Sequence, residues 1–478
     1  MFDDTIAAIA TPLGEGGLAV IRVSGTKAFE IADQSFHPSR KGAPKPSESK
    51  SHTLHHGHVV RDGTKVDEVL LAVMRAPHTY TCENIIEISC HGGLLPAKAV
   101  LDAMLAAGAR LALPGEFTKR AFLNGRLDLA QAEAVADLIH ARTELALRAA
   151  GEQLAGKLSQ RINQLRDDLI KTLAHIEAHI DFPDEDIAPA TRGKLEERLR
   201  EGVAFMEMLL RTANEGQLLR RGIRAAIIGR PNAGKSSLLN QLLGRDRAIV
   251  SHIPGTTRDT IEETANIRGV PVVFIDTAGL REAGDEIEVE GIRRSRETLG
   301  RAELILHVLD ASEPLTHEDE KFLREFADRK QIVVRNKVDL PVKLQLQVAN
   351  TGLESPVNRQ AGKPALQSGA ETSVSVADIS CATGQGIEAL KDAIKSIVWS
   401  GAINAEMLEV MINSRHQDAL NRARQAALRT IDALRSEQSL EFVALDLHIA
   451  VNAVGEIVGK TTTEDLLDSI FSQFCIGK

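Results

Sequence analysis

A glycine-rich turn between a short apolar segment and a helical segment constrains the fold of this chain most. Residues 229–236 read GRPNAGKS, which fits the pattern G-x-x-x-x-G-K-[ST]. The apolar run 223–228 before it predicts a strand, and 237–243 predicts a helix. In such a loop, backbone N–H groups approach phosphate oxygens, Lys235 reaches the β and γ phosphates, and Ser236 binds Mg²⁺. The pattern predicts a phosphate-binding loop in a parallel α/β sheet.

Two further motifs follow in the order expected of a guanine nucleotide site. Residues 272–275 predict a strand that ends in DTAG, where Asp276 holds the metal through water and Gly279 senses the γ-phosphate. Residues 331–335 predict a strand that ends in NKVD. The carboxylate of Asp339 can accept two N–H groups of guanine, whereas adenine offers no matching pair of donors. With the following Ser380-Cys381-Ala382 to support the base, the motifs predict GTP as the ligand.

The residue pattern changes along the 478-residue chain and predicts three domains, one of them inserted into another. Residues 1–119 read as strands and tight turns, with Asp62-Gly63 predicting a hairpin turn. Residues 120–216 and 400–478 read as helices. Residues 217–399 alternate apolar strands with helices, and insertion at an exposed loop permits this order. The predicted fold class is therefore an N-terminal α+β domain, a discontinuous all-α domain and an inserted Ras-like α/β domain with a P-loop.

Composition excludes several classes of protein. A formal charge of −9 argues against a general polyanion binder, and 3% aromatic residues argue against rows of stacking side chains for bases. Four cysteines lie far apart without a CxxC pair, so neither a disulfide framework nor a zinc knuckle is expected. No apolar run approaches the roughly 18 residues of a membrane span, and the first ten residues lack a basic segment. We expect a cytoplasmic protein without membrane contact.

The residues alone leave open how the γ-phosphate is cleaved. A Ras-like GTPase carries a water-orienting glutamine after its DxxG motif, but Leu280 stands at that place and cannot orient water. The acidic stretch 282–290 offers another group, although a lone glutamate there is more often part of a solvated loop. The positive charge that stabilises the transition state is either Arg258 or a bound monovalent cation.

The sequence resembles the MnmE (TrmE) family of tRNA modification GTPases over nearly its whole length. The shared segments are GRPNAGKSS, GTTRD, DTAGLRE and NKVD, and, more specifically, LPGEFTKRAFLNGRLDLAQAEAVADLI and the terminal FCIGK. The resemblance implies a folate-binding N-terminal domain that forms a homodimer, a helical domain and an inserted Ras-like domain. It also implies an MnmG-type FAD protein as partner in a heterotetramer. Together they would add an aminomethyl or carboxymethylaminomethyl group to C5 of the wobble uridine of certain tRNAs, using 5-formyl- or 5,10-methylene-tetrahydrofolate.

The resemblance further implies site residues, position by position. The implied catalytic glutamate is Glu288, alongside Lys235 and Arg258. Mg²⁺ would be bound by Ser236 and Thr257. The implied K⁺ ligands are Asn232, Ser251, Ile253 through its carbonyl, and Thr256. The implied folate contacts are Arg22, Glu83, Arg126 and Lys478. The complete set of predicted GTP-binding residues is Asn232, Ala233, Gly234, Lys235, Ser236, Ser237, Ser251, Thr256, Thr257, Asp276, Thr277, Ala278, Gly279, Asn336, Lys337, Asp339 and Ser380.

Three local features carry competing interpretations. Cys475 is either a nucleophile toward uridine or a packing residue. His56 and His58 share one strand face, which is a metal site or, by preference, a polar surface. A basic helical region is either a solvated face or a contact for tRNA phosphates, and its members are Arg415, Arg422, Arg424, Arg429 and Arg435.

Two rival functions belong to other classes. A ribosome-assembly GTPase would bind RNA without one-carbon chemistry and often carries a KH module with a G-x-x-G loop. No such loop follows Trp399, since Gly455 and Gly459 have the wrong spacing. A folate-dependent transferase with an idle GTP site would keep its full modification activity after Lys235→Ala.

Overall fold

The computed structural model describes residues 4–181, 189–244, 262–275, 300–326, 329–345, 375–399, 408–436 and 438–478. Within these ranges the chain forms two β-sheets and a bundle of long helices. This arrangement agrees with the predicted fold class, because a set of helices lies both before and after the second sheet in the sequence.

The first sheet is largely antiparallel and has the strand order β3-β4-β5-β6-β2-β1-β7. Its strands are β1 Ile6–Ile9, β2 Leu18–Ser24, β3 Phe36–Pro38, β4 Thr53–Arg61, β5 Thr64–Met74, β6 Ile85–His91 and β7 Arg110–Leu111. Helices α1 (Ala28–Ser35) and α2 (Leu94–Ala106) pack on one face, where alternate strand residues are buried. The predicted hairpin turn at Asp62-Gly63 joins β4 to β5, with left-handed φ angles of 51° and 74°.

The helical part begins after the first sheet and resumes after the second. Its helices are α3 Glu116–Leu123, α4 Leu129–His140, α5 Glu144–Leu154, α6 Lys157–Asp181, α7 Pro189–Arg211 and α8 Ala213–Arg221. Apolar faces of α6 and α7 pack against those of two later helices in one continuous core of leucine, isoleucine, valine and alanine. The second half of this part, numbered after the helices of the second sheet, comprises α12 Ser414–Arg435, α13 Leu440–Val458 and α14 Glu464–Phe471.

The second sheet, which we call the G sheet, has the order β13-β12-β11-β8-β10-β9. Its strands are β8 Ile223–Ile228, β9 Glu263–Ile267, β10 Val270–Phe274, β11 Leu304–Asp310, β12 Lys330–Asn336 and β13 Ser375–Asp378. All neighbours are parallel except β9 and β10. Its helices are α9 Lys235–Leu243, α10 His317–Glu325 and α11 Ile387–Val398. The alternation confirms the predicted α/β section, and we call the sheet with these helices the G domain.

A buried ionic cluster joins the two halves of the helical part. Arg415 on α12 donates to both carboxylate oxygens of Glu133 on α4, at 2.9 and 2.7 Å. His416 is fully buried, and its Nε2 lies 2.8 Å from the same carboxylate. The backbone N–H of Asn413 donates to His416 Nδ1 at 3.4 Å, and Arg415 Nη2 lies 2.9 Å from His416 Nε2, so both ring nitrogens have polar partners.

We expect the helical part to lose stability as the pH falls from about 6.5 to about 4. Burial lowers the pKa of His416 to about 4, more than the attraction of Glu133 raises it. Between pH 6.5 and pH 4, His416 of the unfolded chain binds a proton, whereas the buried His416 of the folded chain does not. Protonation therefore favours the unfolded state. The loss is about 3 kcal/mol, from roughly 1.36 kcal/mol per pKa unit. Urea unfolding followed by far-UV circular dichroism at pH 7 and pH 4.5 measures it.

A variant that lacks the imidazole ring tests whether His416, rather than another titrating group, causes this pH dependence of stability. His416→Gln keeps a donor for Glu133, so its stability should change less with pH than that of the wild type. His448→Gln is the control, because His448 is half exposed and pairs with Glu177 on the surface. Equal pH dependence in the wild type and His416→Gln would contradict the assignment.

Candidate functional site

The phosphate-binding loop leaves β8 at the middle of the G sheet and enters α9 at Lys235. Gly229 and Gly234 are needed here, since they have φ angles of 146° and 97°. A Cβ on Gly234 would lie 2.1 Å from the Asn336 amide nitrogen. The Lys235 ammonium donates to the carbonyls of Gly229 and Arg230 at 2.9 and 2.8 Å, across the mouth of the loop. Burial lowers the pKa of Lys235, so a bound anion would relieve the cost of this buried charge.

Arg230, within the phosphate-binding loop, is held by two carboxylates outside the loop. Its Nε lies 3.0 Å from the carboxylate of Asp319, which is nearly fully buried, and its Nη1 lies 3.3 Å from Glu313. Asp319 also accepts from Thr316 at the start of α10. The loop that carries Lys235 is therefore fixed to the helix that follows β11.

The guanine end of the site is held by the NKVD motif at the end of β12. Asn336 is buried, donates to the Ala233 carbonyl at 2.9 Å and accepts the Cys381 N–H at 3.1 Å. It therefore links the phosphate-binding loop to the segment that supports the base. Lys337 donates to Asp310 at 2.6 Å. Burial raises the pKa of Asp310, but hydrogen bonds from Lys337 and Ser312 outweigh it and hold the pKa below its usual value.

The remaining described nucleotide residues are exposed except for Ser380 and Ala233. Asp339 is exposed, and none of the described residues bonds its carboxylate, which leaves it available to guanine. Ser380 is buried, and its hydroxyl accepts the Thr383 N–H at 3.2 Å. Three predicted residues at the mouth of the loop are exposed: Asn232, Ser236 and Ser237. Burial raises the pKa of the neighbouring Cys381 thiol to about 11, so it stays neutral.

Several predicted residues lie outside the described part of the chain. They are Ser251, Ile253, Thr256, Thr257, Arg258, Asp276, Thr277, Ala278, Gly279 and Glu288. The long 341–375 segment between the guanine motifs also lies almost entirely outside it. Of the predicted metal ligands, the structure places Asn232 and Ser236, both at the loop.

A second cluster of predicted residues lies in the N-terminal part, around Tyr80. The guanidinium carbons of Arg22 and Arg126 lie 5.4 and 4.9 Å from the centre of its ring. Arg126 also donates to the Tyr80 carbonyl at 2.9 Å, and Arg22 donates to Glu87 at 2.8 Å. A cavity of about 500 Å³ opens beside Tyr80 and Arg126. Arg126 and Tyr80 line this cavity, and Arg22 lies against the same ring without lining it. A cation beside an aromatic ring suits a flat anionic ligand.

Glu83 lies three residues beyond Tyr80 and is fixed by a buried arginine. It accepts from the Ser24 hydroxyl at 2.8 Å and from Arg120 at 3.2 Å. Arg120 is fully buried and also pairs with Asp4 and Glu116, at 2.7 and 2.9 Å. The network holds the Glu83 carboxylate in one orientation.

The C-terminal tail brings Lys478 to the same place. A Cβ on Gly477, whose φ is 98°, would lie 2.4 Å from the Ile9 carbonyl, so the tail passes directly against β1. The Gly477 carbonyl accepts from Arg22 at 3.4 Å. Burial lowers the pKa of Lys478, and the charge of Arg22 lowers it further. Cys475 is exposed in this tail. All four predicted folate contacts therefore lie on neighbouring segments.

The contacts of the arginine-rich helix α12 do not favour its interpretation as a tRNA surface. Each of the five guanidinium groups pairs with a carboxylate of this chain, so they balance internal charge. The partners are Glu133, Glu456, Glu207, Asp446 and Glu196. We do not retain α12 as a tRNA contact.

The histidine pair on β4 is explained as a polar surface. His56 bonds Glu68 on β5 at 2.8 Å, and His58 bonds Lys65 at 3.3 Å. Among the described residues, no three side chains of histidine, cysteine, aspartate or glutamate form a metal site. In the same part of the chain, no helix has the length and apolarity to cross a membrane.

Sequence reasoning missed three residues that organise these sites. Arg120 and Arg230 act through buried partners that only the fold brings near them. Tyr80 could have been singled out from the sequence, because it is the only tyrosine of the chain.

Comparison with known proteins gives two family profiles that match consecutive parts of the chain. Residues 5–126 match the GTP-binding protein TrmE N-terminus, and residues 129–475 match the MnmE helical domain. The tRNA modification GTPase MnmE of Geobacillus kaustophilus (strain HTA426) is 46% identical over 99% of both chains. The protein of that name from Clostridioides difficile (strain 630) is 44% identical over 100% of this chain and 99% of its own.

The solved structures that match part of the chain are more distant. The G domain of the T. maritima FeoB iron transporter is 22% identical and covers 37% of this chain and 98% of its own, with a TM-score of 0.23. This likeness carries no weight here, and the nucleotide site rests on the loop, the NKVD motif and the strand order described above.

Proposed function

This chain belongs to the MnmE family of tRNA modification GTPases, and we propose that it couples GTP hydrolysis to folate-dependent modification of the wobble uridine. The proposed product carries an aminomethyl or carboxymethylaminomethyl group at C5. The proposed assembly is a cytoplasmic homodimer joined by an MnmG-type FAD protein. The observation that carries the folate part is the convergence of Arg22 and Arg126 on Tyr80, with the Lys478 tail against Arg22 and the carboxylate of Glu83 fixed by Arg120.

The described residues support binding and orientation of GTP. The Lys235 ammonium would move from the loop carbonyls to the β and γ phosphates, where it offsets negative charge that increases on the leaving group. Asp339 would pair with guanine, while Asn336 keeps both ends of the site together. Ser236 and Thr257 would bind Mg²⁺, which supplies charge at the phosphate oxygens. Glu288 is the proposed water-orienting group.

The N-terminal residues suit the parts of a reduced folate. Arg22, Arg126 and Lys478 offer cations for the carboxylates of the glutamate tail. Glu83 offers two acceptors for the N–H donors of the pterin, and its orientation is set by Arg120 and Ser24. Glu15 stands in a glycine turn where the family often has a basic residue.

GTP hydrolysis is expected to be at least about tenfold faster in K⁺ than in Na⁺ at matched ionic strength. A bound K⁺ would place positive charge where other GTPases insert an arginine, a substitution worth orders of magnitude in rate. Asn232→Gly removes one proposed ligand and accepts the φ of 62° at this position, so it should abolish the difference between the salts. Phosphate release under both salts is the measurement. Equal rates for the wild type would assign the charge to Arg258 instead.

The proposed function as a whole is tested by mass analysis of wobble nucleosides in tRNA from cells that lack this chain. The expected result is loss of the modified uridines and accumulation of the unmodified nucleoside. Unchanged uridines, together with a defect in ribosomal subunits, would favour the ribosome-assembly alternative.

A further inference from the structure

The β9–β10 hairpin of the G domain contacts the helical part beside the two chain connections. Arg142, between α4 and α5, donates to the hydroxyl of Thr264 on β9 at 2.7 Å. Thr264 is buried whereas Arg142 is exposed, so this hydrogen bond lies at the edge of the junction. A Cβ on Gly269, at the turn of the hairpin, would lie 3.5 Å from Leu145, so the turn and α5 pack against each other. One polar contact and the apolar packing around the turn therefore hold the hairpin against the helical part.

An apolar cluster surrounds this contact and includes both ends of the G domain. Val270 of the hairpin packs in one cluster with Ala146 of α5 and with Leu219, just before β8. Trp399, directly after α11, belongs to the same cluster and is 3% exposed. Its indole N–H has no hydrogen-bond partner among the described residues. A buried polar group without a partner destabilises this arrangement relative to one in which the group is paired.

The packing beside the cluster is incomplete. A cavity of about 40 Å³ lies between α4, α5 and α8, and its lining includes the paired side chains of Asp137 and Arg220 as well as Ala146, Leu219 and Met411. A polar cavity of this size has room for water, because one water needs only about 10–15 Å³ of such volume. Side chains next to a hydrated cavity can repack without opening a new void. The junction can therefore change its arrangement more easily than the closed cores on either side.

The hairpin is continuous with both segments that the sequence assigns to sensing the nucleotide. Thr256 and Thr257 come shortly before β9 in the chain, and Asp276 follows β10 after a single intervening residue. The two strands pair along their whole length, from Glu263 opposite Phe274 to Ile267 opposite Val270. A paired hairpin moves as a unit, so a shift at the nucleotide end changes the position of its turn against α5.

We propose that this hairpin, held by Arg142 and Leu145, carries the state of the bound nucleotide from the G domain to the helical part. Arg142 is a positioning residue in this mechanism: it acts on the nucleotide site through Thr264 and does not touch the ligand. Coupling of this kind requires that the two nucleotides favour different arrangements of the junction. The inference depends on GTP binding alone and not on the wobble-uridine chemistry.

Trp399 provides a direct readout, because it is the only tryptophan of the chain and lies inside the junction. The full-length protein is loaded with GDP or with a non-hydrolysable GTP analogue, and tryptophan emission is recorded. The expected result is a different emission intensity or wavelength in the two states. Identical emission in both states would overturn the proposal, whatever the outcome of the tRNA experiment.

Two variants remove the polar contact from opposite sides. Arg142→Ala and Thr264→Val should each reduce the emission difference by at least about half, and the double variant should lose no more than either one. Calorimetric affinities for both nucleotides should stay within about threefold of the wild type. Arg268→Ala is the matched control, since Arg268 lies in the same hairpin turn but pairs with Asp392 and Glu388 inside the G domain. A full emission difference in Arg142→Ala, or an equal loss in Arg268→Ala, would overturn the role of Arg142.

Discussion

Lys235→Ala is expected to lower the rate of GTP hydrolysis at least about a thousandfold and to abolish tRNA modification in a reconstituted assay. The ammonium is the charge that the described loop directs at the phosphates, and charge placed in a preorganised loop is worth several kcal/mol in the transition state. Affinity for GTP should fall about a hundredfold, since a charge-assisted contact to phosphate is lost. Phosphate release and calorimetry measure the two effects.

The same variant separates the leading function from the idle-site alternative. A transferase with an idle GTP site would modify tRNA at the full rate without Lys235, whereas a coupled GTPase would not. Loss of folding is not the expected cause, because burial lowers the pKa of Lys235 and its charge costs free energy in the empty loop. Lys330→Ala is the control, since Lys330 is exposed at the start of β12 in the same domain.

The sequence predicted the parts of this molecule that depend on neighbours in the chain. The phosphate-binding loop, the NKVD motif and the Asp62-Gly63 turn are each formed by a few consecutive residues. The loop and the turn also place glycine, asparagine or aspartate at left-handed φ angles. Their structures match the predictions for that reason. The cations Arg22, Arg126 and Lys478 lie on neighbouring segments although they are distant in sequence, and their role as folate contacts stays a prediction.

Contacts between distant segments were outside the reach of pattern reasoning. Arg120 pairs with Asp4 and Glu83 across 116 and 37 positions, and neither spacing repeats in any periodic element. The basic helix α12 was open to misinterpretation because its own sequence shows the arginines but not the carboxylates that face them. Arg424 pairs with Glu207, and Arg435 pairs with Glu196. Both partners lie on α7, more than two hundred positions away in the sequence. Charge along one helix therefore predicts a surface only when the packing around it is known.

Glu83→Gln is expected to weaken tetrahydrofolate binding about thirty- to a hundredfold and to stop tRNA modification while GTP hydrolysis continues. A carboxylate offers two acceptors to the pterin, whereas the amide offers one acceptor and a donor that meets another N–H. Loss of such a charge-assisted pair costs about 2–3 kcal/mol. The fold should survive, because Arg120 keeps Asp4 and Glu116 as partners. Calorimetry with tetrahydrofolate, beside GTPase and modification assays, measures the three effects.

Glu68→Gln is the matched control for this change, since it is the same substitution at an exposed surface ion pair with His56 in the same sheet. It should leave all three measurements unchanged. Two outcomes distinguish the parts of the mechanism. If Glu83→Gln binds folate as tightly as the wild type, the ligand lies elsewhere and the cluster around Tyr80 has another role. If folate binding falls but modification persists, the one-carbon unit does not pass through this pocket, and GTP hydrolysis serves a chemistry supplied by the partner protein.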